Sequence, residues 1–180
     1  EVDQHVAASH GALQVVGNRD AAGVAGKCTG VLADRRAAGD VEGAAELAVG
    51  AADHGVVEEN ISAYPQAVTR QMLQNFATGG AAISVIAKHH HAHLQVIDCG
   101  TVGDAYDYMG VERCCIAEGT ANFSKQAAMT EQQCLDALQL GKNSADLAKS
   151  KAADIYIAGE MGIGNTCSAS AIACLLLNES

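Results

Sequence analysis

At 180 residues, 49% of them hydrophobic, the chain is long enough for one domain with a core and too apolar to be disordered. Its net charge of −10, from 21 acidic against 11 basic residues, excludes a binder of nucleic-acid backbone, which needs clustered Lys and Arg. Aromatic residues are only 3%, so the core is expected to be Ala, Val, Ile and Leu packed closely, and any small anionic ligand must be held by local N–H groups rather than by overall charge.

Residues 1–45 are rich in Ala and Gly and poor in large apolar side chains, with helical pieces expected around Arg35 to Ala48. They read as a poorly defined leader to an α/β unit over 46–180. From Glu46 the texture changes. Leu47 to Ala52 is a small apolar run, read as a strand, that ends in Asp53-His54-Gly55. After a polar loop, Ser62 and Pro65 mark the start of a helix. Its stripe is expected at Val68, Met72, Phe76, Ile83 and Ile86, with Gly79-Gly80 as either a break or a close backbone approach. Leu94 to Ile97 is the next strand, ending in Asp98-Cys99-Gly100, and Arg113 to Ala117 another, ending in Glu118-Gly119. Thr130 with Gln133 forms a capping box for a helix carrying Leu135, Leu138 and Leu147.

The last segment is the most informative. Asp154 to Ala158 reads as a short β-branched strand, Gly159-Glu160-Met161-Gly162-Ile163-Gly164 as a glycine loop, and Cys167 to Leu177 as a buried helix. Strand, glycine loop and helix together turn backbone N–H groups and a helix N-terminus towards an anion. The same sequence also serves a tight strand-to-helix turn that binds nothing. Strands alternating with helices imply a Rossmann-like, mostly parallel sheet flanked by helices. Each apolar run ends in an acid beside glycine: Asp53, Asp98, Glu118 and Glu160. In a parallel sheet these ends share one rim, where ligands bind in open α/β folds. Acids and glycines are also ordinary strand-exit residues.

Other chemistry is disfavoured. Gly162-Ile163-Gly164 lacks the third glycine of a dinucleotide fingerprint, and no P-loop or serine nucleophile elbow occurs. The seven cysteines include no CxxC and fit buried thiols in a reducing cytoplasm; no His is placed by the sequence to activate Cys99 or Cys167. His89, His90, His91 and His93 lack ligand spacing, so no metal is expected. The sequence shows no signal peptide and no apolar span of transmembrane length, so neither membrane nor nucleic acid is an expected partner.

Three stretches together resemble the nicotinate-nucleotide–dimethylbenzimidazole phosphoribosyltransferase family. Ala52-Asp53-His54-Gly55-Val56 runs into Ser62-Ala63-Tyr64-Pro65 and Val68-Thr69-Arg70-Gln71-Met72. Gly119-Thr120-Ala121-Asn122-Phe123 precedes Ala128-Met129-Thr130. Gly159-Glu160-Met161-Gly162-Ile163-Gly164-Asn165-Thr166 comes last. The resemblance covers residues 48 to 178, roughly.

It implies transfer of the phosphoribosyl group of nicotinate mononucleotide to dimethylbenzimidazole or a related base, giving α-ribazole phosphate and nicotinate in cobalamin lower-ligand synthesis. It further implies a cytoplasmic homodimer with a Rossmann-like sheet, a small helical domain and no cofactor. Gly162, Ile163, Gly164, Asn165 and Thr166 resemble the phosphate-side loop, and Glu160 with Met161 the neighbourhood of the reacting groups. Tyr64 and Met72 match base-pocket positions, though plain core packing suits both as well. Asp53 and His54 are expected to shape the same crevice.

The departures are definite. Relatives carry a Pro-Pro-Gly-Ser-Leu-Gly element that residues 1–45 lack, and they continue well past Ser180, where the family's general-base Glu lies. The fold is thus expected to be incomplete relative to the family. The chain is expected to be an N-terminal fragment with no catalytic residue of its own, inactive alone. The alternatives are a non-catalytic nucleotide- or phosphate-binding α/β module, or one subunit of a two-chain transferase.

Overall fold

The computed structural model describes residues 45–178. In chain order the elements are β1 (Ala45–Ala52), α1 (Ala67–Thr78), α2 (Ala82–His89), β2 (His93–Gly100), β3 (Val111–Arg113), α3 (Glu131–Ser150), β4 (Ile155–Met161) and α4 (Asn165–Leu177), with a 3₁₀ turn at Gly55–Glu59 after β1. The strands form one sheet in the order β3-β2-β1-β4, and every pairing is parallel. This is the expected α/β architecture.

The sheet's interior explains its sequence. β1 and β2 lie between other strands and are buried on both faces, so β1 reads as a nearly unbroken apolar run. On one face, Val49, Ala51 and Val96 pack against Leu73 and Phe76 of α1 and Ala81 at the start of α2. On the other face lies a polar ladder. Tyr156 Oη donates to Ser144 Oγ at 2.9 Å, Ser144 donates to Gln95 Oε1 at 2.7 Å, and Gln95 Nε2 donates to Glu112 Oε2 at 2.9 Å. It ties α3 to the sheet through hydrogen bonds that satisfy polar groups otherwise costly to bury.

Several expectations are corrected. Ala45–Ala48 belong to β1, because Ala45 pairs with β4 and Glu46–Ala48 pair in register with both β2 and β4; the rest of the expected leader helix lies outside the described residues. Gly79-Gly80 is a break: Gly79 closes α1 at φ 85°, a left-handed cap that glycine adopts without strain. The buried stripe of the two helices is Thr69, Leu73, Phe76, Ser84 and Ala87; Ile86 is exposed. The strand expected over Arg113–Ala117 sits earlier, at Val111–Arg113, although Cys114 and Ile116 still donate backbone bonds to Asp98 and Cys99 carbonyls, each at 2.9 Å. Glu118 therefore lies in a turn rather than at a strand end. In α3 the buried positions are Ala137, Ser144 and Ala148, while Leu135 and Leu147 face outward, because small side chains let the helix lie close on the polar ladder.

The largest correction concerns α4. Its apolar sequence reads as buried, yet Ser168 is its one buried residue, and Leu176 and Leu177 are 77% and 70% exposed. No described element covers its outer face or that of the neighbouring edge strand β4, where Ile157 is also exposed. Among the described residues no helix is long and apolar enough to cross a membrane.

Candidate functional site

The parallel register carries the C-terminal ends of β1, β2 and β4 to one rim: Ala52 is level with Gly100 and Ala51 with Met161. A bridge between His54 and Thr120 adds the Gly119 turn, with Thr120 N–H donating to the Asp53 carbonyl at 2.9 Å. The stretches around Asp53, Gly100, Gly119 and Gly162, far apart in sequence, thus meet. Their approach is close enough to exclude a side chain at Gly162. A Cβ there would collide with the Ala52 carbonyl oxygen and stand 2.8 Å from the His54 ring.

The four acids do not form one floor. Asp53 and Asp98 are buried at 2% and 0% exposure, whereas Glu118 and Glu160 face solvent. Asp98 organises the loop after β2. It accepts from the Gly100 N–H at 3.0 Å, the Thr101 hydroxyl at 3.1 Å and the Tyr106 phenol at 2.7 Å, with Arg113 Nε 3.8 Å away. Burial, then the bond to Asp98, pushes the Tyr106 phenol well above its ordinary value. Arg70 and Arg113 each place a guanidinium 4.9 Å from the Tyr106 ring centre, clamping this loop to α1 and β3. Asp53 Oδ2 accepts the Val102 N–H at 2.8 Å. Burial raises the Asp53 carboxyl above its ordinary range, and the Val102 and Thr69 hydrogen bonds offset part of that rise.

The glycine loop is held from two sides. Ile163 N–H donates to Thr69 Oγ1 of α1 at 3.1 Å. His54, 4% exposed, lies under Gly162 and shares a 3.1 Å hydrogen bond through Nδ1 with Ser168 Oγ of α4. Within the loop, Asn165 N–H donates to the Gly162 carbonyl at 3.0 Å and Thr166 N–H to Asn165 Oδ1 at 2.6 Å. The N–H groups of Ile163, Asn165 and Thr166 are therefore engaged inside the protein. Gly164 caps α4 at φ 91°.

Of the expected site residues, Asp53, His54 and the stretch Met161–Gly164 come together at this rim. Glu160 lies next to them on the exposed end of β4, and Asn165 and Thr166 open α4. Met72 is half-buried against the core, its sulfur 3.7 Å from Asn75 Nδ2, while Tyr64 is 67% exposed on the segment entering α1. Thr69, Ser168 and the Arg70–Tyr106–Arg113 stack were not singled out from sequence. Ser168 carries only a faint signal there, a hydroxyl among small residues, and Thr69 none beyond its place in the Val68–Met72 stretch.

Burial, followed by the Asp98 charge, pushes the Cys99 thiol up to about 12, so it is no thiolate nucleophile. His93 Nδ1 lies 2.8 Å from Glu46 Oε2, which also takes Lys151 at 3.1 Å. Among the described residues no three His, Cys, Asp or Glu side chains converge as metal ligands.

Comparison with known proteins places these features. A family model described as phosphoribosyltransferase matches residues 31–180. A nicotinate-nucleotide–dimethylbenzimidazole phosphoribosyltransferase of Pseudomonas putida KT2440 is 54% identical over 131 residues, which are 73% of this chain and 37% of that protein. The protein of the same name from Pseudomonas fluorescens SBW25 is 56% identical over 132 residues, 38% of its length. A crystal structure of the corresponding protein from Thermus thermophilus superposes with a TM-score of 0.72 at 44% identity, covering 76% of this chain and 42% of that one. The chain thus spans about two fifths of the relatives it matches.

Proposed function

The chain belongs to the phosphoribosyltransferase family, and on that premise we propose that it supplies the nicotinate mononucleotide side of a transfer of phosphoribose to dimethylbenzimidazole or a related base. In that reaction a ring nitrogen of the base attacks the anomeric carbon as nicotinate leaves. The transition state has oxocarbenium character, and the attacking base loses its proton to a carboxylate. The protein must anchor the phosphate, hold the flat base in line and accept that proton. The observation that carries this reading is the glycine loop Gly162–Gly164 pinned at the rim between Thr69 and His54, opening directly into α4.

In this reading the Gly162–Thr166 loop and the first turn of α4 face the phosphate through N–H groups other than those of Ile163, Asn165 and Thr166, which are engaged, and the exposed Glu160 lies beside the ribose. Tyr64 and Met72, before and within α1, border the base. Asp53 and His54 act from beneath, since both are buried. The general base comes from a part of the family fold with no counterpart in residues 1–180. The unit is proposed to begin at residue 46, after an Ala/Gly-rich leader over 1–45. The opening of β1 at Ala45 supports that division, and the family match reaching back to residue 31 limits it. We place the enzyme in the cytoplasm as a homodimer, as the resemblance implies. The uncovered apolar surface of β4 and α4 equally favours a two-chain enzyme whose partner covers that face.

The test is turnover. The 180-residue chain, mixed with the complementary C-terminal part of the P. putida relative, is given nicotinate mononucleotide and dimethylbenzimidazole, and α-ribazole phosphate is measured by chromatography. The expected result is product from the mixture and none from either part. Nucleotide binding by the chain with no turnover in the mixture would replace the transferase by a binding module.

A further inference from the structure

We propose that Thr69 is a positioning residue that sets the phosphate-side loop at a fixed distance from the base-side helix. The proposal rests on the functional reading above and adds to it a side chain that touches neither substrate in that reading.

Thr69 is fully buried, with 0% exposure, in the first turn of α1. Its Oγ1 accepts the Ile163 N–H at 3.1 Å across 94 residues of sequence. A hydroxyl can accept and donate at once, so the same group keeps a rotatable proton. An unpartnered buried acceptor, Asp53 Oδ1, belongs to the strand end next to it. Asp53 Oδ1 is shielded from solvent and has no hydrogen-bond partner, and the Thr69 hydroxyl is close enough to lower the pKa of this carboxyl. Asp53 in turn holds the Val102 N–H through Oδ2. One hydroxyl therefore ties the start of α1 to the loop after β4, beside the Asp53 carboxyl that holds the loop after β2.

Met72 stands three residues further along α1, on the same side of the helix as Thr69. A shift of the Thr69–Ile163 contact would change the separation between Met72 and the glycine loop, which is the separation a transferring phosphoribosyl group must bridge. A 1 Å misplacement of reacting groups can cost on the order of 100-fold in rate. Valine is nearly isosteric with threonine but would leave the Ile163 N–H without its acceptor. Serine would keep it.

The experiment compares Thr69→Val and Thr69→Ser with the unchanged 180-residue chain. Amide hydrogen exchange is read residue by residue, and nicotinate mononucleotide affinity by calorimetry. In Thr69→Val the Ile163 amide is expected to exchange about tenfold faster or more, the equivalent of one lost hydrogen bond. Core amides of β1 and β2 should keep their protection, nucleotide affinity should fall by a similar factor, and Thr69→Ser should stay within about twofold on both readouts. Unchanged Ile163 exchange in Thr69→Val overturns the proposal, as does equal loss in Thr69→Ser. If Thr69→Val fails to fold, Thr69→Ser decides alone, since loss of Ile163 protection there is incompatible with a hydroxyl-borne role. If the unchanged chain binds no nucleotide, the functional reading fails, while the exchange measurement still decides what Thr69 does to the loop.

Discussion

Asp53 shows how one buried carboxyl couples stability to pH. It faces Asp98, Arg70, the Thr69 hydroxyl and the Val102 N–H, and burial is the largest influence on it, raising its folded-state pKa above the ordinary 3.8. The folded protein therefore keeps this proton to a higher pH than the unfolded chain. The stability gained from neutral Asp53 is complete below the unfolded value and is lost as pH rises through the folded one. Glu58, Glu59 and Asp146 have pKa values lowered by lysine partners and act in the opposite sense, weakening the fold as pH falls. A difference curve isolates Asp53. Urea unfolding of the Asp53→Asn variant, measured from about pH 3.5 to 7, should show its stability relative to wild type rising with pH and then levelling off. A flat difference would place Asp53 among ordinary ionised carboxylates.

Among the elements, α3 separates what local sequence controls from what packing controls. Its N-terminus is local. The Thr130 hydroxyl accepts the Gln133 N–H at 3.2 Å, and the Gln133 side chain accepts the Thr130 N–H at 2.8 Å, the capping box read from the sequence. Thr130→Ala should cost about 1 kcal/mol in urea unfolding, with the helix still formed. Its facing is set by packing. Leucines at 135 and 147 advertise an apolar side, but the sheet beneath presents Gln95 and Tyr156, and Ser144 turns inward to meet them. The α1–α2 pair behaves similarly. Gly79-Gly80 allows a break or a close backbone approach by sequence and the structure makes it a break, while the buried stripe includes Thr69, which a hydrophobic pattern passes over because its role is a hydrogen bond to a distant loop.

On the scale of the whole molecule, the sheet has an uncovered side. β4 is its edge beside β1, Ile157 on it is 47% exposed, and α4, which follows it in the chain, presents Leu175, Leu176 and Leu177. Parallel sheets are normally covered, and an open strand edge and an exposed apolar helix each promote association. Sedimentation velocity of the 180-residue chain should show concentration-dependent self-association. The double variant Leu176→Glu, Leu177→Lys should shift it towards monomer while leaving β1 and β2 amide protection intact. A chain that is already monomeric at high concentration would show that this face is harmless on its own.

Sequence alone determined the parallel α/β order, the capping box at Thr130 and the three motif stretches that carry the family. Each is written in neighbouring residues, through periodicity, turn chemistry or a short motif. Tertiary structure decided which strand-exit acids are buried, that α4 is apolar yet uncovered, and that His54 and Thr69 grip the glycine loop. Those outcomes depend on which surfaces meet across as many as 114 residues of chain, as in the His54–Ser168 contact, and no local pattern encodes the partner at the other end.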